Sequence, residues 1–163
     1  MAKASYTTIS LKRDRRLPGL ATLTLSRPGK LNAIDFVMHE EIQRACAEVR
    51  DETSVRVVIV TGEGRAFSSG NDLTAARRPR AKDDLERRHR LAAGNRTAAA
   101  LGSLPQVTIA AVNGLAVGGG VVVAAACDLR IAAECAWFSI PEVDLNLPMT
   151  WNSLPLLMRE LGP

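Results

Sequence analysis

Aromatic residues are scarce in this chain of 163 residues, which holds three Phe, two Trp and one Tyr. So few flat side chains leave little for stacking bases, and no nucleic-acid-binding motif accompanies the mild net charge of +4. Cysteine is scarce too. Cys46, Cys127 and Cys135 are odd in number and lack metal-ligand spacing. In apolar surroundings they are expected to be buried, reduced thiols of a cytoplasmic protein. The only histidines, His39 and His89, are too far apart for a local metal site and are expected on helix surfaces. The segment Met1-Ala2-Lys3-Ala4-Ser5 has no apolar core of the secretory type. Charge is missing altogether from Thr97 to Cys127, a run long enough to span a bilayer. Pro105, Gln106, Asn113-Gly114 and the glycines 118–120 interrupt that run, and a continuous helix through them would be costly. It reads as core, not membrane.

What is present is the pattern of a single α/β domain over residues 1–163. Residues 6–12 and 20–26 read as strands joined by a charged turn, with Ala21, Leu23 and Leu25 on one face. Asp35 is placed to cap a helix whose apolar stripe is Met38, Ile42, Ala45 and Val49. Val55 to Val60 reads as a strand covered on both faces, and Lys82 to Leu101 as one polar helix. A strand at Val107–Val112, a helix at Gly119–Ala126 and strands at Leu129–Ala132 and Phe138–Ile140 follow. A helix from Leu154 to Leu161 stops at Gly162. No internal repeat stands out.

Two glycine-bearing turns carry the chemical information. One is Phe67-Ser68-Ser69-Gly70-Asn71-Asp72-Leu73, the other Asn113-Gly114-Leu115-Ala116-Val117-Gly118-Gly119-Gly120. Each follows a β-branched apolar run and precedes a segment that reads as helix. A position without a side chain lets backbone N–H groups approach a ligand closely. Two such turns face to face would aim two donors at one oxygen, forming an oxyanion hole suited to acyl chemistry. Basic residues follow the first turn: Arg77, Arg78, Arg80, Lys82, Arg87, Arg88, Arg90 and Arg96, against Asp83, Asp84 and Glu86. Such a run is either a solvated helix face or an anion site. Arg77, Arg78 and Arg80 would suit phosphates.

Four segments in order resemble the enoyl-CoA hydratase/isomerase, or crotonase, superfamily. They are Leu25-Ser26-Arg27-Pro28-Gly29-Lys30-Leu31-Asn32-Ala33, Val57 to Leu73, Ala110 to Asp128 and Phe138 to Glu142. The resemblance implies a crotonase-like spiral of ββα units, with the family's C-terminal helical region truncated or absent. It implies an acyl-CoA substrate, no cofactor beyond that coenzyme A, and a homo-oligomer, trimer or hexamer. The family's oxyanion donors fall on the N–H groups of Asn71 and Gly119. Substrate contacts fall on Lys30, Leu31, Ala33, Ser69, Gly70, Asp72, Leu73 and Gly118.

Hydratases of that family place two glutamates beside the substrate. Here the first position is Val122, while the second is Glu142, after Pro141. One carboxylate can move a proton between carbons, so the resemblance favours double-bond isomerisation with Glu142 as acid/base. Hydration or another crotonase-type reaction stays open, as does a non-catalytic acyl-CoA-binding or assembly role. The acid that the dienoyl-CoA isomerase branch carries near Thr150 is lacking. Asp144 would share a face with Glu142 in a strand but not in a helix. Trp137 and Trp151 are candidates to line an acyl tunnel or to pack in the core. Leu154, Leu157, Met158 and Leu161 are expected to need a covering neighbour.

Overall fold

The computed structural model describes residues 5–74, 81–142, 144 and 146–162. Strands β1 (Ile9–Arg13) and β2 (Leu20–Leu25) pair antiparallel, and β2 buries Ala21, Leu23 and Leu25 as its alternation requires. Helix α1 (Phe36–Arg50) begins where Asp35 Oδ1 accepts from the Met38 N–H at 2.9 Å. Its stripe Met38, Ile42, Ala45 and Val49 is wholly buried. Then come β3 (Val57–Gly62), β4 (Ala66–Ser68), α2 (Asp84–Leu91) and α3 (Ala93–Gly102). They are followed by β5 (Val107–Val112), β6 (Leu115–Val117), α4 (Gly119–Ala126), β7 (Leu129–Ala132), β8 (Phe138–Ser139) and α5 (Ser153–Leu161).

The strands form two sheets, β1-β2-β3-β5-β7 and β4-β6-β8. Apart from the first hairpin all pairings are parallel. A long strand joins the large sheet, a short one the small sheet, and a helical segment follows. That ββα unit recurs along the chain, making the α/β spiral of crotonase type. The repeat is one of geometry and is not visible as repeated sequence. Helix α4 lies at the centre, with every residue buried. A helix buried on all sides needs no amphipathic period, which suits Gly-Gly-Val-Val-Val-Ala-Ala-Ala. Among the described residues no helix is long and apolar enough to cross a membrane.

Several expectations need correction. The polar helix expected over Lys82–Leu101 is two helices, broken at Ala92. α2 has no buried residue, whereas α3 buries Ala93, Gly94, Thr97, Ala98 and Leu101 against the core, so one straight rod could not serve both. Each glycine turn contains a short strand, β4 or β6, too brief to show an alternation. β3 buries Val58 and Val60 but leaves Val57 and Ile59 half-covered, so it is not enclosed on both faces. Cys46 and Cys127 are buried as expected, but Cys135 is exposed. His89 is exposed, yet His39 is buried, because its position on α1 faces α3. Arg77, Arg78 and Arg80 lie outside the described residues.

Candidate active site

The two glycine turns meet. Gly70 has φ +83°, and a Cβ there would stand 2.5 Å from Val117 O and 3.0 Å from Gly119 N. Only a residue without a side chain allows this approach. The loop from Arg27 to Ile34 holds the first turn from behind. The Ser69 N–H donates to Leu31 O at 2.9 Å, Ser68 Oγ to Asn32 O at 2.8 Å, and the Ile34 N–H to Gly70 O at 2.7 Å. The Asp72 N–H donates to Ile34 O at 2.9 Å. With both neighbours of Asn71 bonded to Ile34, the N–H of Asn71 itself faces the opposite edge, and Asn71 lines a cavity there.

Gly118 and Gly119 line the same cavity. Gly118 has φ +50°, and a Cβ on it would meet Glu142 Oε1 at 2.5 Å. Glu142 therefore lies directly on the second turn. Its Oε2 is buried without a hydrogen-bond partner. Gly119 opens α4, so its N–H has no acceptor within the helix, and the helix dipole favours negative charge beside it.

The cavity is about 430 Å³, within the size range of small-molecule sites. Among the described residues Glu142 is the one carboxylate on its wall. Val122, one turn into α4, presents an apolar side chain to it. Ser69 and Leu73 are also on the wall. Lys30, Leu31, Ala33, Gly70 and Asp72 are not. Asp72 is buried and pairs with Arg27 at 2.9 Å and Lys30 at 3.4 Å. Burial works to raise its pKa, but hydrogen bonds from Thr74, Arg27 and Lys30 outweigh that and hold the carboxyl well below the usual range. Asp72 thus anchors the first turn to its supporting loop.

Asp144 is exposed in a turn, not in a strand with Glu142. Trp137 is exposed, while Trp151 lines the cavity, as does Thr150. The indole of Trp151 sits against α3 and α4: a Cβ on Gly94 or Gly119 would lie 2.1 or 2.2 Å from it. Sequence reasoning missed His39, Phe36, Gly94 and Ser153 as cavity residues. His39 Nδ1 is 2.9 Å from Thr97 Oγ1, and its ring meets Trp151 edge-on at 4.7 Å between centroids. No local pattern marks these positions, since α1, α3 and α5 converge only on folding. Among the described residues no cluster of three or more His, Cys, Asp or Glu is placed to hold a metal ion.

A glycine-built pair of turns with a lone carboxylate beside them sits on a spiral of ββα units. A family model described as enoyl-CoA hydratase/isomerase matches residues 15–163. The chain belongs to the enoyl-CoA hydratase/isomerase family. It is 42% identical over 144 residues to YngF of Bacillus subtilis, across 88% of this chain and 54% of that protein. It is 34% identical over 160 residues to the crotonyl-CoA hydratase of Syntrophomonas wolfei, across 98% of this chain and 59% of that one. The crystal structure of an enoyl-CoA hydratase from Bacillus anthracis matches it with a TM-score of 0.86 at 33% identity, over 96% of this chain and 59% of that one. The chain spans a little over half the length of the relatives it matches.

Proposed function

We propose that this member of the enoyl-CoA hydratase/isomerase family binds acyl-CoA thioesters and isomerises their double bond, moving it from the 3- to the 2-position. The observation that carries the reading is the single carboxylate, Glu142, set against the oxyanion turn while the apolar Val122 stands on the same wall. The thioester oxygen accepts hydrogen bonds from the N–H groups of Asn71 and Gly119. Glu142 takes a proton from the α-carbon, leaving a dienolate whose charge those donors stabilise. The same carboxyl returns the proton to the γ-carbon. Bonds and charge balance, and no cofactor beyond the coenzyme A of the substrate is needed. Hydration would require a water held and activated, which Val122 does not do.

Ser69, Gly70, Leu73 and Gly118 shape the acyl end of this site. Lys30, Leu31, Ala33 and Asp72 support the first turn and lie toward the coenzyme A. α5 leaves Leu154, Met158 and Leu161 exposed, which supports association into a homo-oligomer. Sedimentation is expected to show a species larger than 17.5 kDa; a monomer at all concentrations would remove that element. The activity test is turnover of 3-enoyl-CoA and 2-enoyl-CoA by one preparation, with Glu142→Gln alongside. Isomerisation is expected to exceed hydration. The variant is expected to lose about 10²–10⁴ in rate while still binding ligand. Fast hydration by the unmodified protein, or full activity in Glu142→Gln, refutes the assignment.

A further inference from the structure

Three consecutive glycines close the second turn, and a different neighbour fills the place of each missing side chain. A Cβ on Gly118 would meet Glu142 Oε1 at 2.5 Å, and one on Gly120 would meet Ser68 O at 2.5 Å. A Cβ on Gly119 would meet Trp151 Cζ3 at 2.2 Å and Cη2 at 2.3 Å. Glycine has more backbone freedom than any other residue, so a run of three keeps one conformation only where its surroundings impose it. Gly118 is held by hydrogen bonds: its N–H donates to Ser139 O at 2.8 Å, and its carbonyl accepts from the Val121 N–H at 2.9 Å. The Gly119 N–H has no acceptor within the helix. Packing on the α-carbon beside that donor falls to the indole of Trp151.

The indole is itself braced. Its five-membered ring lies in the notch left by Gly94 of α3, where a Cβ would stand 2.1 Å from Cδ1 and 2.2 Å from Nε1. Its six-membered ring reaches from there to Gly119 of α4. The ring of His39 from α1 meets it edge-on at 4.7 Å between centroids, and His39 Nδ1 lies 2.9 Å from Thr97 Oγ1. The backbone of Trp151 is left-handed, φ +61°. That conformation costs energy in a bulky residue and persists where the surrounding structure over-determines it. A rigid ring on a strained backbone thus carries the packing of α1 and α3 onto the residue that supplies the second oxyanion donor.

We propose that Trp151 is a positioning residue of the oxyanion hole, acting through Gly119 by holding the N–H of that residue on the thioester oxygen. The proposal rests on the oxyanion reading above and adds the group that fixes its second donor. The test is titration calorimetry on the full chain with pentanoyl-CoA and with S-pentyl-CoA, a thioether of the same chain length that lacks the carbonyl oxygen. The ratio of the two affinities reads the donors, because the rest of the ligand is shared. In the unmodified protein the thioester is expected to bind about 3- to 10-fold more tightly, the range of a neutral hydrogen bond. Trp151→Leu keeps apolar bulk beside Gly94 but does not reach Gly119, and in it the ratio is expected to fall to about one. Its kcat for 3-enoyl-CoA is expected to fall about 10- to 100-fold, with KM within about 3-fold of the parent. Trp151→Phe retains more of the ring and is expected to lie between the two. Equal weakening of both ligands in Trp151→Leu, with the ratio kept, makes Trp151 core packing and overturns the proposal. So does a parent-like ratio in Trp151→Phe, which decides the matter alone if the leucine variant does not fold. A ratio of about one in the unmodified protein, or no binding of either ligand, overturns the oxyanion reading itself, and this inference with it.

Discussion

Replacing Gly70 by alanine tests the contact on which the site depends. The new methyl carbon would stand 2.5 Å from the Val117 carbonyl oxygen and 3.0 Å from the Gly119 nitrogen, both backbone atoms. Carbon–oxygen contacts are normally about 3.3 Å or longer, so the turns must separate by about 0.8 Å. The first turn has little room to recoil, because Ile34 holds Gly70 O at 2.7 Å and Ser68 Oγ holds the Gly70 N–H at 3.1 Å. The backbone at φ +83° adds a left-handed penalty of about 1–2 kcal/mol for a residue with a side chain. Together, strain and overpacking are expected to lower stability by about 2–4 kcal/mol. Moving one turn from the other also misplaces an oxyanion donor, expected to lower turnover by about 10²–10³. Gly29→Ala serves as control, since a Cβ there meets nothing within 4 Å; its stability is expected to stay within about 0.5 kcal/mol of the parent. Urea unfolding and 3-enoyl-CoA turnover on the three proteins provide the measurement. A Gly70→Ala protein as stable and active as its parent would refute the geometry of the paired turns.

Asp72→Asn takes the carboxylate from Lys30 and leaves Arg27 with Asp35, at 3.4 Å, and is expected to cost about 1–3 kcal/mol near neutral pH. Because the folded-state pKa of Asp72 is depressed, its contribution is full above the ordinary aspartate value and fades as pH falls through the folded one. The gap between parent and variant in urea midpoints is thus expected to narrow below about pH 4, and a gap constant into strong acid would contradict the pairing. For the thiols, Cys135 is expected to react with an alkylating reagent in the native protein. Burial pushes the thiols of Cys46 and Cys127 up to about 12, so mass spectrometry is expected to show their labelling only after unfolding.

Local pattern alone was enough for the elements that bury one stripe or stand between clear stops. The helix capped by Asp35, the strand Val107–Val112 and the helix opened by Gly119 follow from side-chain period, capping chemistry and glycine. So did the two turns, because close backbone approach leaves a mark in residue type: Gly70 and Gly118 sit at positive φ against neighbouring atoms. Glu142 was legible only through its resemblance to a family pattern, since a carboxylate after a proline has no distinctive period. Tertiary structure decided what depends on which element comes to rest against which. The chain breaks at Ala92 because α3 is buried against α1, whereas α2 buries no residue and meets α1 through the edge-on contact of His89 with Phe36. His39 is buried because it faces Thr97 on α3, and Ser153 and Trp151 belong to the cavity because α5 returns to α4. Such contacts join residues distant along the chain, and nothing in the immediate neighbourhood of any one of them encodes the partner it meets.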